Sequence, residues 1–200
     1  SFHEIMQFEV GALQATFRHL KERYAYYYHL LKFEIPEISF IPAMKFCECK
    51  ELLKTNYGMD FSQDPDLSPS EEQKICEHVK RETGSEFIFI THYPSVKRPF
   101  YAMDDISNSE ETLSFDLLFR GVEITTGGQR IHDYEMIIAK MKRRGMDPAN
   151  FEFFTQAHKF GLLPHGGFGL GLERLTQKII GLESVKLATM FPRDIGRLSP

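Results

Sequence analysis

Four of the six residues from Gly166 to Gly171 are glycine, within Pro164-His-Gly-Gly-Phe-Gly-Leu-Gly-Leu-Glu-Arg-Leu175. So bare a backbone makes a poor helix and a good extended surface on which a flat ligand can lie. Directly after it, apolar residues fall at 172, 175, 179 and 182, which is helical spacing. A bare strand is thus expected to run straight into a helix start. Arg174 lies in the first turn of that helix, where the macrodipole disfavours a cation. An anion between Arg174 and the helix start would resolve the conflict, and phosphate is the usual guest. A tight corner with Arg174 in a surface ion pair is the other reading, and these residues alone leave it open. The spacing is not that of the common phosphate loops: no Lys-Ser/Thr pair follows, and no dinucleotide fingerprint is present.

The second constraining stretch is Ser114–Arg130. Phe115, Leu117 and Phe119 alternate on odd positions, whereas Val122 and Ile124 continue on even ones. One flat strand cannot hold both sets on one face. A bulge at Gly121 would restore a single apolar face. It would also bring Asp116 and Glu123 to the same polar side. Paired carboxylates suit Mg2+, which takes one or two of them together with phosphate oxygens; two solvated acids are the plainer alternative. Thr125-Thr-Gly-Gly-Gln-Arg130 then ends the strand in bare backbone and a second arginine.

Two hundred residues, 42% hydrophobic, suffice for one good core, so one domain over 1–200 is expected. The net charge of −4 gives no global field for nucleic acid. Any nucleic-acid contact would be local, and Lys140-Met-Lys-Arg-Arg144, the only basic run of note, reads as the solvated end of a helix. Cys47, Cys49 and Cys76 suit neither a disulfide framework nor zinc and read as reduced cytoplasmic thiols. No stretch reads as a membrane span or signal peptide.

Along the chain, Phe2–Val10 reads as a strand and 12–32 as a helix with clustered tyrosines. Lys45–Tyr57 reads as a helix stopped near Gly58, and 60–69 as a loop. A helix capped at Ser70 runs to Gly84, and Glu86–His92 is a buried strand. Helices over 132–142 and 151–160 precede the glycine strand. The expected class is α+β: an antiparallel sheet with strands near 86–92, 115–126 and 164–170 and helices on one face.

Gly167-Phe-Gly-Leu-Gly-Leu-Glu-Arg174 resembles the third signature motif of class II aminoacyl-tRNA synthetases, Gly-x-Gly-x-Gly-x-Glu-Arg. Arg98-Pro-Phe-Tyr101, Asp116–Ile124, Gly127–Asp133, Phe191-Pro-Arg-Asp194 and Arg197–Pro200 extend the resemblance in order and spacing. They point to the aspartate–asparagine–lysine subgroup, and within it to the archaeal and eukaryotic aspartyl type. The chain is similar to the C-terminal part of such a catalytic domain.

The resemblance implies roles for individual residues. Asp116 and Glu123 would hold Mg2+ on the ATP phosphates. Gly167, Gly169 and Gly171 would carry the adenine, and Arg174 would cover it and reach the terminal phosphate, which makes Arg174 and Glu123 the catalytic pair. Arg130 would grip the aspartate side chain, with Thr126 beside the amino acid and the metal. The implied activity is aspartate–tRNA ligation through aspartyl-adenylate, with aspartate, ATP and tRNA as substrates, in a cytoplasmic homodimeric parent.

The family's second motif would lie just before Phe2, and it, the first motif, the N-terminal anticodon-binding barrel and the amino-acid-closing loop find no match in the sequence. The chain is therefore expected to be an incomplete core with little activity alone. An ammonia-dependent asparagine synthetase relative and a non-catalytic binding paralogue are the competing readings. The tail 190–200 looks like the family's own C-terminus.

Overall fold

A computed structural model describes residues 1–61 and 63–197. Leu198, Ser199 and Pro200, the last residues of the tail matched to the family, lie outside the described residues.

The sheet is built around a hairpin. Strands β3 (Ser114–Phe119) and β4 (Val122–Arg130) are joined by Arg120 and Gly121, both at positive φ (48° and 81°). Two such residues make the primed turn that matches the strands' twist. This corrects the single bulged strand expected over 115–126: Gly121 serves a reversal. A bulge does exist, one turn further on. Leu118 pairs with Glu123 but Leu117 pairs with Thr125, so Ile124 is the extra residue. The phase change in the apolar pattern has two sources, the turn and the bulge.

Beside the hairpin lie β2 (Phe87–Thr91) and β5 (His165–Leu170), and β1 (Ala43–Lys45) closes the order β1-β2-β3-β4-β5. All neighbours are antiparallel except β1 and β2, which are parallel. The expected antiparallel pairing of the Asp116 hairpin with the glycine strand holds, in an α+β fold, and the parallel edge is an addition.

Helices cover both faces, where one was expected. On one face, Phe87, Phe89, Phe115, Leu117 and Phe119 pack against α1 (Phe2–Arg23) and α7 (Leu172–Ile180). On the other, Ile88, Ile90 and Leu118 pack against α3 (Phe46–Tyr57) and α4 (Pro69–Thr83). The β2 strand is apolar on successive residues because both its faces are buried.

The expected strand at Phe2–Val10 is the start of α1. Its buried residues, Phe2, Met6, Glu9, Leu13 and Phe17, recur every three or four positions, the helical period that the sheet-facing stripe requires. The expected helix over 12–32 breaks at Tyr24, and α2 (Ala25–Leu31) follows. Tyr24, Tyr26 and Tyr27 are exposed, whereas Tyr28 packs on the core. The cap of α4 is Ser68 rather than Ser70. Its backbone N–H donates to Glu71 Oε2 at 2.8 Å and Pro69 takes the first turn.

The basic run 140–144 ends α5 (Tyr134–Arg143) as expected, with Lys142 and Arg143 exposed, but it is not solvated throughout. Lys140 is buried, donates to Ala102 O at 2.6 Å and pairs with Asp104. Arg143 also pairs with Asp104, and Arg144 donates to Arg98 O at 2.7 Å and to Ser95 O. These side chains clamp the 95–104 loop. Helix α6 (Glu152–Lys159) follows a 3-10 turn that Asp147 caps.

Candidate functional site

Cross-strand partners in the sheet share a face. Asp116 pairs with Thr126, Thr126 with Gly169, and Gly128 with Gly167. Arg130 lies two residues beyond Gly128 and so joins the same row. The bulge at Ile124 puts Glu123 on this face as well, and its Oε1 accepts from Thr126 Oγ1 at 2.9 Å. A side-chain carbon built on Gly167 or Gly169 would meet nothing within 4 Å, so the strand's floor is open. On the reverse face, Phe168 and Leu170 pack into the core with α1.

The start of α7 is aimed by the bulge. Ile124 O, displaced from the ladder, accepts from the Gly171 N–H at 2.8 Å. Gly171 caps the helix, and Arg174, in its first turn, reaches back to Glu123. Its Nη1 donates to Glu123 O at 2.8 Å and lies 3.5 Å from Glu123 Oε1. The surface-ion-pair reading of Arg174 is therefore realised in part, within the site itself.

Asp116 is buried, and its Oδ2 lies 2.7 Å from Arg98 Nη2, while Oδ1 has no hydrogen-bond partner. Glu72, from the first turn of α4, accepts the Glu123 N–H at 3.2 Å. Burial, with Asp116 and Glu123 adding repulsion, pushes the Glu72 carboxyl up to about 7. Burial and then Asp116 also raise Glu123. Asp116, Glu123 and Glu72 thus lie near the guanidiniums of Arg98 and Arg174, which offset part of the rise that burial imposes on Glu72 and Glu123.

The donor set is all oxygen, which suits a hard cation such as Mg2+. Among the described residues no three metal-ligating side chains converge, so phosphate oxygens would have to complete such a site. Next to it, a cavity of about 350 Å³ is lined by Arg98, Tyr101, Thr126, Arg130, Gly167 and Gly169, among others. Arg130 lies over the Tyr101 ring at 5.3 Å, its fork toward this space. A larger cleft of about 610 Å³ opens between α1 and β5, around Phe8, His165 and Phe168. It holds none of the paired carboxylates or arginines.

Of the site residues expected from sequence, Asp116, Glu123, Thr126, Arg130, Gly167 and Gly169 share one sheet face, Gly171 caps α7, and Arg174 reaches Glu123 from that helix. Arg98 and Glu72 were missed as site residues. Arg98 stood in a quoted motif without a role, and its burial beside Tyr93 is a tertiary fact. Glu72 read as an ordinary first-turn acid of a helix.

The chain matches the family model of tRNA synthetases class II (D, K and N) over residues 1–195. An aspartate–tRNA(Asp/Asn) ligase of Thermus thermophilus is 47% identical over 160 residues, 80% of this chain and 37% of that protein. An aspartyl tRNA synthetase from Entamoeba histolytica has the same fold at a TM-score of 0.91 and 31% identity, covering 100% of this chain and 42% of that one. The asparaginyl-tRNA synthetase of the same organism, in complex with asparaginyl-adenylate, superposes at 0.88 with 25% identity, over 100% of this chain and 46% of that one. The chain spans less than half the length of these relatives. With its glycine strand, arginine-bearing helix start and carboxylate hairpin in one arrangement, it belongs to the class II tRNA synthetases of the D, K and N group.

Proposed function

We propose that this chain supplies the ATP- and amino-acid-binding half of an aspartate–tRNA ligase centre. The reaction would be attack of the aspartate α-carboxylate on the α-phosphorus of ATP with loss of pyrophosphate, followed by attack of a tRNA hydroxyl on the aspartyl carbonyl with loss of AMP. The observation that carries this reading is the sheet face shared by Asp116, Glu123 and Arg130, with Gly167 and Gly169 as its floor and Arg174 reaching Glu123 from the start of α7.

In this reading Arg130 takes the side-chain carboxylate of aspartate, a planar fork meeting a planar acid. Thr126 orients Glu123 through its hydroxyl. Arg174 covers the adenine and reaches the terminal phosphate, while the open backbone at Gly167 and Gly169 lets the base lie flat. Asp116 and Glu123 would hold Mg2+, which would draw charge from the phosphates as pyrophosphate departs. The orphaned Asp116 Oδ1 supports that assignment. Catalysis would rest on positioning and electrostatics, with no protein nucleophile.

Aspartate is favoured over asparagine because the cavity presents a guanidinium to the side chain, and a carboxylate gains the full charge-assisted pair. Tight, ATP-independent binding of asparagine would favour the asparaginyl neighbours instead. In this reading the whole reaction would belong to a longer, cytoplasmic homodimeric protein, with tRNA as the third substrate. No helix among the described residues is long and apolar enough to cross a membrane.

Calorimetric titration of the chain with aspartate, asparagine and ATP tests the assignment, with pyrophosphate exchange measured alongside. ATP and aspartate binding with little exchange is the expected result. Binding of neither would sink the reading in favour of a non-catalytic paralogue. Asparagine formation from aspartate, ATP and ammonia would favour the synthetase relative.

A further inference from the structure

Arg98 is nearly fully buried (8% exposed), and its guanidinium sits 3.9 Å above the Tyr93 ring. Its Nη2 is 2.7 Å from Asp116 Oδ2, but the angles fall outside hydrogen-bond geometry. Arg98 Nε and Nη2 and Asp116 Oδ1 consequently carry no hydrogen bond. A buried ion pair repays its desolvation only when further hydrogen bonds complete both partners. Here they do not, so the pair contributes little to stability for what it costs.

The arginine also cannot simply swing out. Arg144 holds the Arg98 carbonyl and the Ser95 carbonyl, and Lys140 holds Ala102 O at 2.6 Å. The ion pair is kept in place by Lys140 and Arg144 at the end of α5.

Resting on the reading that Asp116 and Glu123 take a divalent cation, we propose that Arg98 is the resident counter-cation of that site. It neutralises Asp116 when no metal is held, and its fixed charge opposes metal entry. The protein alone then binds the cation weakly, and binds it firmly only when nucleotide phosphates bring further negative charge. Arg98 is in this sense a positioning residue: it sets the order in which cation and nucleotide are held.

The test is titration of the nucleotide-free chain with Mn2+, read by electron paramagnetic resonance. Arg98→Met is expected to bind Mn2+ on the order of tenfold more tightly, the effect of removing one unit charge nearby at intermediate dielectric. Arg98→Lys, which keeps the charge, should stay near the wild-type affinity. Added Mg2+ should raise the melting temperature of Arg98→Met more than that of the wild type, since the ion then replaces the missing positive charge beside a buried carboxylate. Where Arg98→Met does not fold, Arg98→Gln keeps a donor for Asp116 without the charge and should shift affinity in the same direction. Unchanged or weaker Mn2+ binding in the neutral variant overturns the inference. Asp116→Asn distinguishes the two layers: it should abolish binding, and retained binding would overturn the metal assignment itself.

Discussion

Arg174 Nη1 donates to the backbone carbonyl of Glu123 at 2.8 Å and stands 3.5 Å from that residue's carboxylate. The first-turn cation that the helix dipole disfavours is thus compensated by a strand carbonyl and an acid 51 residues away in sequence. Its half-exposed remainder is free to meet a ligand.

The two arginines should therefore separate by substrate. Arg174→Leu removes charge-assisted contacts to nucleotide, worth about 1.5–3 kcal/mol, and should weaken ATP binding while leaving aspartate binding nearly intact. Arg130→Leu should do the reverse. Paired calorimetric titrations of both variants decide it, and equal losses for both ligands in both variants would remove the assignment.

The glycines divide in the same way. A side chain on Gly169 meets open space, so Gly169→Val should fold normally and lose nucleotide by covering the floor. Gly127 faces the core, where an added carbon would lie 2.4 Å from Phe115 Cζ and 2.8 Å from Phe168 Cβ. Gly127→Ala should cost about 1–3 kcal/mol of stability, or more if the rings cannot shift. Chemical denaturation of both variants, set beside ATP binding, reads the contrast.

Glu9 gives a pH prediction. It is fully buried in α1, and neither its oxygens nor the Thr125 hydroxyl beside it makes a well-formed hydrogen bond. Burial pushes its carboxyl from 4.5 up to about 7, with Thr125 lowering it in part and Asp116 adding to the rise. The unfolded chain then loses this proton at lower pH than the folded one, so stability falls as pH rises from about 4.5 to about 7. The contribution is about 3 kcal/mol at full extent. Glu9→Gln should remove that fall, leaving a flatter stability profile in urea unfolding at stepped pH. Identical slopes in the two proteins would show that Glu9 does not keep its proton.

The local reading was legible where a motif carried its own geometry. The glycines into Leu172–Ile180 pointed to a bare strand before a helix, and the matched motifs decided it against a tight corner. The strand at Phe2–Val10 was misread because Phe2, Ile5, Met6, Phe8 and Val10 fit two periods, and only packing against the sheet selects one. Gly121 was recognised as special, but a turn and a bulge leave the same phase shift in sequence. Arg98, Glu72 and Glu9 owe their importance to burial by distant segments, which no local pattern records.

The basic run offers the last test, since position rather than charge decides what each residue does. Lys140 is buried, bonded to Ala102 O and paired with Asp104, and burial holds its ammonium below the usual lysine range. Lys142, two residues on, is exposed. Lys140→Met should leave a backbone carbonyl without its donor and Asp104 with only part of its cationic partners, costing about 1–3 kcal/mol. Lys142→Ala should stay within about 0.5 kcal/mol of the parent. The loss at Lys140 should be local before it is global, because the clamp holds 95–104 rather than the sheet. Amide exchange is expected to speed up at Ala102 and Asp105, whose N–H groups donate to Pro99 O and Glu111 O, while β3 and β4 keep their protection. Equal stability losses in the two variants, or exchange that rises evenly across the sheet, would mean that the basic run acts through general charge and not as a clamp on the loop that presents Arg98.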